Sequence, residues 1–163
     1  MSQKSMGLEE FQERFSTEDS CREHLFEIRW QRGYICPRCG HDRYYFHGPR
    51  HLYECRACRY QVSLTAGTIF QTTKISLRTW FWMIFLMAQP ESQLSMLSLQ
   101  RMLKIKSYKT AWMMVHKIRI AMAGRDAYNK PAGLAEEDQP FDRLLRACLS
   151  TPAITFSQLR RRS

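Results

Sequence analysis

Two pairs of cysteines, Cys36-Pro37-Arg38-Cys39 and Cys55-Arg56-Ala57-Cys58, carry the chemistry most plainly written into this chain. The residues between them, 40–54, give the C-x2-C…C-x2-C spacing of a structural zinc site. Two residues between thiolates let both sulfurs of a tight turn face one ion at about 2.3 Å, and two such turns complete a tetrahedron. Gly40 directly after the first pair and Ala57 inside the second suit so cramped a backbone. The matched spacing favours zinc over two independent redox or inert pairs. His41, His47 and His51 are near in sequence, but four cysteines already complete the ligand set.

Such a site needs hairpins to hold it. Tyr44-Tyr45-Phe46-His47 reads as a strand, Gly48-Pro49 as its turn, and His51-Leu52-Tyr53-Glu54 as the return to the second cysteine pair. Tyr60–Thr65 reads as a third strand. The result is a zinc ribbon, in which metal stands in for a core that so few side chains cannot build. Before it, a short amphipathic stretch covers Leu8–Phe15. Ser16 or Thr17 then caps a helix with Glu18 and Asp19 in its first turn and Cys21, Leu25 and Ile28 facing inward. After it, Ser76 caps an apolar helix, Leu77–Ala88, which stops before Pro90 and is apolar enough all round to be a core helix. A helix from Ser92 to Leu103, a turn at Lys104-Ile105-Lys106, and a helix from Ser107 or Tyr108 to Met122 form a helix-turn-helix. Ala111, Val115, Ile118 and Met122 are its expected inward stripe. The fold class is α+β: N-terminal helices (1–32), a small β zinc ribbon (33–66), an all-α helix-turn-helix bundle (67–123), and an irregular C-terminal tail (124–163). Within that tail a short helix at Phe141–Leu149 is the one periodic feature. Cys21 and Cys148 stand alone and read as small buried hydrophobes.

The net charge of +10 is unevenly spread: residues 1–28 carry −4, 29–73 carry +5 and 74–122 carry +7. The positive field thus coincides with the ribbon and the helical bundle, and it points to an anionic partner. In a helix-turn-helix the second helix enters the major groove with its N-terminal residues nearest the base edges. Lys106, Ser107, Tyr108, Lys109, Thr110, Met113, His116 and Lys117 are the expected DNA-facing residues, with Trp112 either packed inward or stacked near the groove. Arg38, Arg43, Arg56 and Arg59 of the ribbon are placed to add phosphate contacts. The first residues lack the apolar stretch of a secretory signal, and the longest apolar run, Trp80–Ala88, is too short to span a bilayer. Cysteines used for metal rather than disulfides suit a reducing cytoplasm.

From about Phe15 through Met122 the chain resembles the zinc-ribbon transposases of bacterial insertion sequences. The resemblance rests on Cys36-Pro37-Arg38-Cys39-Gly40, Tyr53-Glu54-Cys55-Arg56-Ala57-Cys58, Thr65-Ala66-Gly67-Thr68-Ile69-Phe70, Leu77-Arg78-Thr79-Trp80-Phe81 and Ser107-Tyr108-Lys109-Thr110-Ala111-Trp112. It implies a DNA-binding region preceding a ribonuclease-H-like domain with an acidic triad. It also implies recognition of terminal inverted repeats in double-stranded DNA. Lys104 stands where such proteins often have glycine in the turn. Asp138 matches the first acid of the triad, and Asp142 is the sole carboxylate after it. Two-metal phosphoryl transfer needs several carboxylates around ions about 3.5–4 Å apart. The expectation is therefore a zinc-dependent DNA-binding portion, truncated before a complete triad and inactive in transposition by itself, free to self-associate or pair with intact transposase. A transcriptional regulator and a protein-binding adaptor are the alternatives.

Overall fold

The computed structural model describes residues 6–89, 94–127 and 140–152. The order is α1 (Leu8–Arg14), α2 (Glu18–Arg29), β1 (Tyr44–His47), β2 (Leu52–Cys55), β3 (Gln61–Ser63), α3 (Leu77–Ala88), α4 (Met96–Met102), α5 (Tyr108–Ala127) and α6 (Pro140–Ser150). The mixed α+β architecture expected from the sequence is present.

Local chemistry sets the helix starts. Thr17 and Ser20 form a reciprocal capping box at α2. Ser76 accepts from the Thr79 N–H at α3, and Ser95 from the Ser98 N–H at α4. The Ser95 cap, rather than Ser92, marks where α4 begins; residues 90–93 lie outside the described set. α3 has a second cap from far along the chain. The Glu18 carboxylate accepts from the N–H groups of Leu77 (2.8 Å) and Arg78 (3.0 Å), which ties α2 to α3 and places negative charge at a helix N-terminus.

Helix α3 is the centre of the main core. Leu77, Trp80, Phe81, Met83, Ile84 and Phe85 are all buried. Phe11 of α1 stacks on Phe85 with ring centroids 4.3 Å apart, and Phe15 meets Phe81 edge-on at 5.1 Å. From α5 come Ala111, Met114, Val115, Ile118 and Ala121. That stripe differs from expectation at its end: Met122 is exposed and Ala121 takes the inward place. α5 also continues five residues past Met122, to Ala127.

The segment expected as an irregular tail with a short helix contains α6, and α6 is part of the core. Phe141, Leu144, Leu145 and Cys148 recur at helical spacing and are all buried. Its docking is fixed by a polar contact, His24 Nε2 to Asp142 Oδ1 at 2.8 Å, while Arg14 donates to His24 Nδ1 at 3.2 Å. With Nδ1 accepting, the ring's proton sits on Nε2 and is donated to the carboxylate. Cys21 and Cys148 are fully buried, and burial is the chief cause that lifts the Cys21 thiol to about 12, so both are inert packing groups.

The turn between α4 and α5 shows how the chain manages Lys104. Its φ is +51°, the left-handed region that favours glycine. The Ile105 N–H reaches Gln100 O (3.0 Å) and the Lys104 N–H reaches Arg101 O (3.2 Å), the two bonds of a Schellman stop, while buried Ile105 and Leu99 supply its apolar contact. Gln100 Nε2 also donates to Ile105 O at 3.1 Å, holding the turn from inside. Lys104→Gly removes the left-handed strain and is expected to stabilise the fold by about 1 kcal/mol in denaturant titration.

The sheet is antiparallel in the order β1-β2-β3, with Tyr44 opposite Cys55, Tyr45 opposite Glu54, and Glu54 opposite Gln61. One face carries Tyr44, Phe46, Tyr53 and Val62, and it packs toward α2 through Phe26 and Trp30. Tyr34 completes this cluster, 4.8 Å from the Tyr44 ring and 5.0 Å from Trp30. Helix α2 and its C-cap residue Trp30 therefore serve two cores at once: Cys21 and Leu25 belong to the bundle, and Phe26 and Trp30 pack against both bundle and ribbon.

Candidate metal centre and nucleic-acid interface

The two cysteine turns have nearly the same backbone. In the first, the Gly40 N–H bonds Cys36 O (2.9 Å) and the Cys36 N–H bonds His41 O (2.9 Å). In the second, the Arg59 N–H bonds Cys55 O (3.1 Å) and the Cys55 N–H bonds Tyr60 O (2.9 Å). Each turn closes on a left-handed residue, Gly40 (φ +76°) and Arg59 (φ +60°). The strand ends thereby aim all four sulfurs at one point. Their Sγ atoms lie within 4.8 Å of one another, with Cys36–Cys58 at 3.7 Å and Cys39–Cys55 at 3.5 Å. A tetrahedron with 2.3 Å metal–sulfur bonds has sulfur–sulfur edges of about 3.8 Å, so the cluster has the size zinc requires.

Burial opposes ionisation of Cys36, while the backbone N–H groups of Cys39 and Arg38 bond its sulfur and favour the thiolate. The hydroxyl of Tyr34, only 3% exposed, has no hydrogen-bond partner among the described residues. Burial first, and then the charge at Cys36, raises the Tyr34 pKa, as for a phenol kept neutral beside a thiolate. Zinc supplies the crosslink that replaces a larger core; this chain's residues supply the charge, the turns and the aromatic backing.

The ribbon is joined to the helices at Thr65–Phe70. Thr68 Oγ1 donates to Thr65 O (2.7 Å) and accepts from the Phe70 N–H (3.2 Å), and Gly67 turns with φ +74°. Ile69 and Phe70 plunge into the main core. Two cations hold the loop from opposite sides. Arg29 of α2 donates to Leu64 O and, at 2.9 Å, to Ala66 O. Lys117 of α5 donates to Ile69 O at 3.2 Å. Burial lowers the pKa of both.

Lys117 therefore does not stand on the outer face of α5, where the helical pattern placed it: it is 7% exposed and bonded inward. The loop's buried carbonyl needs a donor, and that need outweighs the preference of an ammonium for water. Lys106, Ser107, Tyr108 and Lys109 are exposed at the start of α5, and Thr110, Met113 and His116 are half-buried. Trp112 is half-buried too, with its ring 3.9 Å from that of His116. Burial, followed by the charge of Arg119, lowers the His116 pKa, so this ring is neutral at pH 7 and adds no cation. On the ribbon, Arg38, Arg43, Arg56 and Arg59 are all exposed. Asp138 lies outside the described residues, and Asp142 is occupied by His24. Sequence reading missed Glu18, Arg29 and Asp142 as cross-chain ties; nothing in their local patterns distinguishes them from solvated charges. No helix among the described residues is long and apolar enough to cross a membrane.

A three-stranded sheet whose ends gather two C-x2-C turns around one metal position defines a zinc ribbon. Residues 16–61 match the transposase zinc-ribbon domain family, a span that takes in α2 with the ribbon it packs against. The chain is also 26% identical over 141 residues to an uncharacterized protein in transposable element ISH50 of Halobacterium salinarum, covering 77% of this chain and 47% of that protein. It thus spans about half the length of that relative. No solved structure matches the chain. The resemblance to insertion-sequence transposases holds for the ribbon, and zinc is its metal.

Proposed function

We propose that this chain is the DNA-gripping portion of an insertion-sequence transposase, which engages duplex DNA at the element's terminal inverted repeats and does not itself cut it. The observation that carries the reading is the joining, through α2 and the Thr65–Phe70 loop, of a transposase-type zinc ribbon to a helix pair whose second helix opens on exposed Lys106, Ser107, Tyr108 and Lys109. In this reading cations at that end meet phosphates, and the hydroxyls and Met113 meet the groove. Non-cleavage is part of the proposal; three of the described carboxylates serve the fold, Glu18 capping α3, Asp142 holding His24 and Glu54 bonded within the ribbon.

Fluorescence anisotropy with labelled duplexes over a salt series tests this. Binding is expected to weaken steeply with salt, and to be tighter on element-end sequence than on scrambled duplex. Lys109→Ala should reduce the salt slope by about one unit. Lys117→Ala should leave the slope alone and cost about 1–3 kcal/mol of stability, because it removes a charged donor from a buried carbonyl. A salt-independent affinity, or none at low salt, refutes the DNA reading.

A further inference from the structure

The aromatic side of the ribbon sheet is spent on packing, but its opposite face is also organised, and nothing in the fold requires that. Tyr45, Glu54 and Gln61 lie side by side across the three strands. Gln61 Nε2 donates to Glu54 Oε2 at 2.8 Å, His47 Nε2 lies 3.1 Å from the same oxygen, and Arg59 Nη1 donates to Oε1 at 3.3 Å. Tyr45 stands beside this ladder, 46% exposed. The Arg56 guanidinium lies 4.5 Å from its ring centroid and that of Arg59 5.9 Å. One tyrosine thus orders two guanidinium groups on an open surface. Only Arg59 has a carboxylate; among the described residues Arg56 makes no ion pair.

We infer that Tyr45 is a positioning residue for a second grip on the same DNA, holding the Arg56 fork ready for the sugar–phosphate backbone while Glu54 keeps Arg59 beside it. This rests on the DNA-binding reading above. A guanidinium lying on an aromatic face keeps its N–H edge free and loses rotamer freedom before binding rather than during it. Its planar fork matches two phosphate oxygens, which an ammonium cannot do. The Glu54 ladder anchors one side of the platform, so the cation left without an anion is Arg56. A phosphate supplies that anion.

Three variants of the zinc-loaded full chain test the inference in the duplex anisotropy assay, with zinc content measured for each. Tyr45→Leu keeps an apolar strand residue but no aromatic face. It is expected to weaken binding about threefold at fixed salt with an unchanged salt slope, since the cations remain. Tyr45→Phe keeps the ring and should bind as the parent does. Arg56→Ala should lower the slope by about one unit. Unchanged affinity in Tyr45→Leu, equal weakening in Tyr45→Phe, or an unchanged slope in Arg56→Ala overturns the second grip while leaving the helix-turn-helix reading intact. A parent chain that ignores duplex DNA overturns both.

Discussion

Cys39→Ser is expected to release zinc and unfold the ribbon while most helical structure survives. Structural zinc contributes roughly 10–16 kcal/mol to folding of small metal domains, and a hydroxyl cannot replace a thiolate in its coordination. No other contact in the ribbon approaches that size. Its apolar cluster of buried residues is only Tyr34, Cys36, Cys55 and Val62, and two of those are themselves ligands. The bundle is differently supported: Phe11, Phe70, Trp80, Phe81, Ile84 and Ile118 bury one another without touching the metal site. Zinc titration with a chromogenic chelator should therefore find less than one equivalent in the variant. Near-UV circular dichroism from Tyr34, Tyr44 and Tyr53 should collapse, and far-UV helical signal should fall only by the fraying last turn of α2. A variant that retains one zinc and the parent near-UV spectrum would show that the four sulfurs do not act as one site.

The metal site was legible because its signal is local: two short turns, each read from four residues, converge wherever a hairpin joins them. The starts of α2 and α3 were legible for the same reason, since Thr17 and Ser76 act within three residues of themselves, whereas α4, expected from Ser92, opens at the Ser95 cap. What escaped is long-range. Glu18 bonds N–H groups of residues 77 and 78, Arg29 the carbonyls of residues 64 and 66, and Lys117 that of residue 69. Each looks from its neighbours like a surface charge, and only a folded chain shows which carbonyl or helix end needs it. The Lys117 case matters most for function. It removes a cation from the outer face of α5, so under the proposed DNA-binding reading phosphate contact would fall to Lys106 and Lys109 and to the ribbon arginines. Lys104 was the reverse case: an unusual residue at a turn, noticed from sequence, that does sit at positive φ.

Phe141→Ala is expected to destabilise the helical core by about 3–5 kcal/mol, a large share of the roughly 5–15 kcal/mol that holds a typical domain together. The ring sits 5.4 Å from Phe11, 5.4 Å from Phe15 and 5.6 Å from Phe81, and is 2% exposed. Truncation leaves a cavity between α1, α3 and α6 that these rigid rings cannot collapse to fill. Thermal unfolding of the zinc-loaded chain should fall by about 10 °C, taking roughly 2–4 °C per kcal/mol for a chain of this size. A change below about 0.5 kcal/mol would mean that α6 is a loose appendage. The consequence for DNA binding follows from geometry. α6 packs against α5 as well as α3, so α5, the helix proposed to meet the groove, is braced from behind by residues far along the chain. If α5 grips duplex DNA as proposed, loosening α6 should weaken binding with no change in the salt slope, because the exposed cations Lys106 and Lys109 are untouched. Asp142, one residue further on, takes part in the same bracing through His24. Asp142, the carboxylate that follows Asp138 in the sequence, thus helps to hold α6 against α2.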